Sequence, residues 1–326
     1  MPAASRNRSK FIAWGLLGLV LCAGLLVFLV ASSGSASSTK VEGAAALPQE
    51  PKPQESARVI KPNPEQAKAD RGSIVADGCM VGKKGTESDT CVYGDHHGKR
   101  TLVLFGDSHA MQYFPPLKKL AEQHRWRLIV LNKRECTPAE AQVVRADSGR
   151  EYHQCDLWHQ SSLRRIEQMG AHTTVILSGD KAALAFVHGH ALVEGAANAA
   201  VLQHGYEATL KRILRSGAGA IVIQDMPSAP HDVPNCVERN LEHLRECAFP
   251  HVLDAALEFD ARAARAVAGA HLLDLIPEVC PQGLCRAVIG NALVYRDKHH
   301  LTATFARTLS PWIAAGLKAA ALGTTH

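Results

Sequence analysis

Ser108 follows an apolar run, Thr101-Leu102-Val103-Leu104-Phe105, and sits in the stretch Gly106-Asp107-Ser108-His109-Ala110. Near the other end of the chain comes Asp297-Lys298-His299-His300-Leu301-Thr302. A serine hydroxyl attacks esters only when an imidazole takes its proton, and the imidazole needs a carboxylate to hold its tautomer. Asp297 and His300 suit that second pair, because a turn with two residues between them folds the carboxylate back onto one ring nitrogen. The other nitrogen is then free for Ser108. His299 competes as base, but its spacing to Asp297 points it elsewhere. The expectation is a Ser108, His300 and Asp297 triad, formed if two segments about 190 residues apart in sequence meet.

Elements able to bring them together can be read from the apolar pattern. Near-continuous Val, Ile and Leu runs predict strands at 101–105, 127–132, 173–178, 220–224 and 271–275, buried on both faces. Helical stretches are expected at 116–124, 157–169, 198–216, 251–269 and 302–320. Such alternation predicts an α/β three-layer sandwich with a central parallel sheet. Ligands bind beyond the carboxyl ends of strands in such sheets, where Ser108 falls. After the serine, a helix can begin at His109 until Pro115-Pro116 interrupts it. Ser108 would then offer its own backbone N–H to a developing oxyanion.

Phe11 to Ala31 is an uncharged run of 21 residues preceded by Arg6, Arg8 and Lys10. That is long enough to cross a bilayer, with residues 1–10 in the cytoplasm and the remainder outside. A cleaved signal peptide with a cut near Gly34-Ser35-Ala36 is the alternative, and either one exports the body. Residues 32–69, with Pro48, Pro51, Pro53, Pro62 and Pro64, read as a spacer, and 70–326 as the exported domain. The formal charge is +5, of which residues 1–40 carry +4 (Arg6, Arg8, Lys10, Lys40, no acid), leaving +1 for the body. Nucleic acid as a partner has no electrostatic footprint there. No Cys-x-x-Cys pair or His-Glu-x-x-His motif accompanies the 17 histidines, so neither a metal nor a cofactor is expected.

Eight cysteines follow Cys22, and an even number in an exported chain implies disulfides. Eight permit about a hundred pairings, and sequence does not choose among them. Taken in order they close four irregular polar loops, giving as the expectation Cys79–Cys91, Cys136–Cys155, Cys236–Cys247 and Cys280–Cys285.

The Gly-Asp-Ser-His and Asp-x-x-His blocks resemble the first and last blocks of the SGNH (GDSL-like) hydrolase superfamily. More narrowly, residues 70–320 resemble the periplasmic C-terminal SGNH domain of bacterial acyltransferase-3 (O-acetyltransferase) proteins. Asp77-Gly78-Cys79, the stretch from Asp89 to Asp95, Cys136-Thr137-Pro138 and the Cys280 and Cys285 pair carry that narrower likeness. The resemblance implies an SGNH/flavodoxin-like fold, with Ser108 as nucleophile, His300 as base, Asp297 as its orienting carboxylate and Asp107 in the turn. It also implies an oxyanion Gly after the second strand and an Asn after the third. Here those places read Asn132-Lys133-Arg134-Glu135-Cys136 and Ser178-Gly179-Asp180, leaving the Ser108 backbone as the donor that carries over.

The resemblance implies an exported serine O-acyltransferase in the bacterial inner membrane. It would move acetyl onto carbohydrate hydroxyls in the periplasm, with a multi-spanning membrane acyltransferase supplying acyl groups. A carbohydrate O-acetyl esterase using water is the alternative. A non-catalytic polysaccharide-binding scaffold is the third reading, motivated by the missing Gly and Asn.

Overall fold

The computed structural model describes residues 40–192, 195–254 and 257–323. The membrane segment expected at 11–31, the basic segment 1–10 and the start of the spacer lie outside them. Among the described residues no helix is long and apolar enough to cross a membrane. Residues from Lys40 onward belong to one compact unit.

A seven-stranded sheet forms its centre, with strand order β1-β4-β3-β5-β8-β10 and β2 paired to β4. The strands are β1 (Met80–Val81), β2 (Val92–Gly94), β3 (Thr101–Gly106), β4 (Arg127–Lys133), β5 (Thr173–Ser178), β8 (Gly219–Ile223) and β10 (Ala270–Leu273). Three two-stranded ribbons lie outside it: β6 (Phe186–Val187) with β7 (His190–Ala191), β9 (Phe249–Pro250) with β11 (Leu284–Cys285), and β12 (Val288–Ile289) with β13 (Ala292–Leu293). Every central pairing is parallel except β2 with β4.

The period of two along β3 shows why its sequence is apolar throughout. Leu102 and Leu104 enter one core, and Val103 and Phe105 enter the other. The first core is closed by α1 (Ser108–Met111), α2 (Phe114–His124), α5 (Val233–Arg239), α7 (Ala303–Thr308) and α8 (Ser310–Gly323). The second is closed by α3 (His153–Glu167), α4 (Ala196–Arg215) and α6 (Phe259–Ala266). Sheet between two helical layers is the three-layer sandwich the sequence led us to expect.

Three expectations are corrected. Residues 251–269 do not make one helix; α6 begins at Phe259. Ahead of it His251 to Asp254 form no helix, and Val252 and Leu253 stand 73% and 76% exposed. Their apolar character therefore reports no buried helical face. Pro115 and Pro116 do not end a helix but open α2, since the first turn needs no N–H from them. The spacer, from Lys40 on, is no spacer. Ala44 and Ala67 are buried, and Asn291 grips the segment by donating to Lys40 O and accepting from Glu42 N. Arg286 donates to Glu50 O at 2.6 Å, fixing the segment a second time.

All four disulfides have the expected partners: Cys79–Cys91, Cys136–Cys155, Cys236–Cys247 and Cys280–Cys285. The first ties the two short strands β1 and β2 to each other at the sheet edge.

Candidate active site

The turn after β3 is set by Gly106 and Asp107. Gly106 has φ 143°, and a Cβ there would collide with the Ser178 carbonyl oxygen on neighbouring β5. Only glycine lets the two strands stay paired to their last residue. Asp107 caps α1, accepting from His109 N at 2.8 Å, and its other oxygen accepts from Asp180 N at 2.9 Å. It is thus a turn residue, bridging the ends of β3 and β5. Burial pushes its pKa up, to about 7. Ser108 follows it, partly exposed.

The second segment is a tight loop between Tyr295 and Leu301, which bridge to each other. Asp297 Oδ1 accepts the backbone N–H groups of His299 and His300 at 2.9 and 2.8 Å. Its Oδ2 lies 2.8 Å from His300 Nδ1, and His300 Nε2 lies 2.9 Å from Ser108 Oγ. The three side chains predicted from sequence are therefore in one hydrogen-bonded line. Two long-range bonds hold the loop in place. Leu301 N donates to Gln112 Oε1 just past α1, and Ala229 N donates to Lys298 O.

The electrostatics suit a base. Burial pushes the His300 pKa down to about 4, against the Asp297 hydrogen bond, and the charges of His109 and Arg296 add to the fall. Burial would raise Asp297, but the hydrogen bond and charge of His300 and the two backbone donors hold it well below the usual carboxylate range. His300 is thus a neutral imidazole at physiological pH, its Nδ1–H held by a carboxylate and its Nε2 open to the serine proton.

Sequence reasoning missed a second polar group beside the first. His109 Nδ1 lies 2.6 Å from Asp225 Oδ1, and His109 Nε2 lies 3.0 Å from His299 Nδ1. His299 Nδ1 is therefore engaged by His109, a residue the motif reading had left unassigned, and not by Asp297. Asp225 follows β8, and its only sequence signal was a carboxylate at a strand end. Ring nitrogens of His109, His299 and His300, or His109 with Asp180 and Asp225, lie close enough to surround an ion. Both ring nitrogens of His109, Nδ1 of His299 and both nitrogens of His300 already have hydrogen-bond partners within the site. Within β4, Asn132 Nδ2 is bound to Gly106 O and Asp107 O, so it is not free for substrate.

The sequence matches the SGNH domain family whose members are fused to AT3 domains, over residues 78–315. The chain belongs to that family. No curated protein matches it closely enough to be counted a relative. Among solved structures, it is similar to the periplasmic domain of a Salmonella ser. Paratyphi A lipopolysaccharide acetyltransferase. That likeness has TM-score 0.51 and 14% identity, covering 76% of this chain and 88% of the other. It is less similar to a GDSL-like lipase from Bacteroides thetaiotaomicron, with TM-score 0.39 and 11% identity over 68% of this chain and 89% of that one. The first likeness supports the fold.

Proposed function

We propose that this protein is an exported serine O-acyltransferase that moves an acyl group, acetyl in this reading, onto hydroxyls of a cell-surface polysaccharide. Ser108 is the nucleophile, His300 the general base and Asp297 the carboxylate that orients it. Its domain, from about residue 40, would face the periplasm, held by an inner-membrane anchor at 11–31. The observation that carries the reading is the unbroken line from Asp297 Oδ2 through His300 to Ser108 Oγ, at 2.8 and 2.9 Å. Membership of a family fused to AT3 domains supports acyl transfer as the direction. A separate membrane acyltransferase would then supply the acyl group.

In the first step Ser108 Oγ bonds to the acyl carbon, and its proton passes to His300 Nε2. His300 returns the proton to the departing oxygen. A sugar hydroxyl, giving its proton to the same imidazole, then bonds to the acyl carbon as the Ser108 Oγ–acyl bond breaks, and His300 returns that proton to Oγ. The backbone N–H of Ser108, which has no intrahelical partner at the first position of α1, is the proposed oxyanion donor.

The test is turnover of a chromogenic acetyl ester by wild type and Ser108→Ala, with and without an added oligosaccharide. Transfer predicts loss of all turnover in the variant, and in wild type a shift of acetyl from water to sugar. Acetate release indifferent to sugar identifies a carbohydrate O-acetyl esterase with the same triad. Failure of wild type to turn over ester or to label with a fluorophosphonate supports a polysaccharide-binding scaffold.

A further inference from the structure

Asp225 and His109 repeat the carboxylate–imidazole arrangement of Asp297 and His300 one layer deeper. Both are buried, His109 completely, and the triad chemistry uses neither. A buried polar cluster is costly unless its hydrogens and charges are matched, so their placement can be traced. Asp225 accepts the backbone N–H groups of Met226 and Lys181 at 2.8 and 3.0 Å, so its carboxyl acts as an acceptor and the hydrogen shared with His109 sits on Nδ1. Asp180 Oδ2 lies 3.7 Å from His109 Nε2. Burial opposes a charge on His109, but Asp225, Asp180 and Asp107 outweigh it and raise the His109 pKa. In the doubly protonated form that those carboxylates favour, His109 donates Nε2–H to His299 Nδ1 across their 3.0 Å contact. The hydrogen of His299 is then on Nε2.

The His299 ring packs against His300, centroids 4.2 Å apart, and the residue is only partly buried. Its Nε2 has no acceptor among the described residues. Its partner His109 lies 3.7 Å from Asp180, just past β5, and that strand end offers Ser178, Gly179 and Asp180 and no amide side chain. The site thus carries one more N–H donor, held in a single tautomer, next to the base.

We propose that His299 Nε2–H is a further catalytic donor, hydrogen-bonding the oxyanion formed when Ser108 attacks an acyl ester, and that Asp225 and His109 are positioning residues for it. This rests on Ser108 being the nucleophile. As the Oγ–carbon bond forms, the carbonyl π pair moves onto oxygen and the Ser108 proton goes to His300. His299 hydrogen-bonds that oxygen and keeps its own proton. When the pair returns, the bond to the leaving alcohol breaks and His300 protonates the alcohol oxygen.

The test is steady-state turnover of p-nitrophenyl acetate by the full chain, with fluorophosphonate labelling of Ser108 alongside. His299→Ala should lower kcat roughly 100-fold, as loss of one oxyanion donor does, with KM within about threefold. His299→Gln, which keeps an N–H donor, should recover at least about tenfold of that loss, and both variants should melt like wild type. Asp225→Asn should lower kcat in wild type and have little further effect in the His299→Ala background, because coupled residues are non-additive. An active wild type whose His299→Ala kcat falls less than about threefold overturns the proposal alone, as does a Gln variant no better than Ala. An Asp225→Asn loss that is equal in both backgrounds overturns the positioning role. A wild type that neither turns over nor labels, or a Ser108→Ala variant that stays active, overturns the nucleophile reading and this inference with it.

Discussion

His300 is under two opposing pulls, and their balance sets when the site works. Its exposure is only 9%, which favours the neutral ring, while Asp297 favours the charged one. Burial wins, and the pKa falls to about 4. A general base functions only unprotonated, so activity should be lost as pH falls through about 4 rather than through the usual histidine range near 6.5. A pH profile of kcat/KM on a chromogenic ester checks this; a midpoint near 6.5 would contradict it. Ser108→Ala should abolish turnover while leaving Tm within about a degree, because it deletes one partly exposed hydroxyl. A melt several degrees lower would make the residue structural. Ser108, Asp297 and His300 were legible in the sequence, since the Asp-to-His spacing is local and the serine ends an obvious strand. The Asp225, His109 and His299 group was not, because Asp225 and His109 are 116 residues apart and no spacing rule connects them.

At the scale of elements, the long strands were readable for a physical reason. Burial on both faces leaves an uninterrupted apolar run, as in Leu102 to Phe105. Strands β1 and β2 were missed because two and three residues make no run; pairing with β4 defines them. The segment 251–269 misled because Val252 and Leu253 are apolar yet exposed. The strand-to-helix turn gives a sharp prediction. Gly106→Ala should destabilise by roughly 2 kcal/mol or more, since the methyl meets the Ser178 carbonyl at a positive φ. It should also slow turnover by moving Ser108, and urea unfolding alongside kinetics checks both. A variant of wild-type stability would show that β3 and β5 can part at that point. On the loop that receives Lys40 and Glu42, Asn291→Ala removes two bonds to that segment and should cost about 2 kcal/mol, measurable as a lower urea midpoint.

For the molecule as a whole, stability leans on cross-links as well as on two cores. The bridges span 12, 19, 11 and 5 residues. Loops of that size gain roughly 2–3 kcal/mol each. Dithiothreitol should therefore lower Tm by at least about 10 °C in a thermal melt. An unchanged melt would mean the cores hold the fold unaided. Each described cysteine pairs with the next one along the chain, and no bridge encloses another. A chain threaded amino-end first into an oxidising compartment would therefore expose partners two by two. An oxidase that joins thiols in order of emergence would produce the native set directly, with no reshuffling by an isomerase.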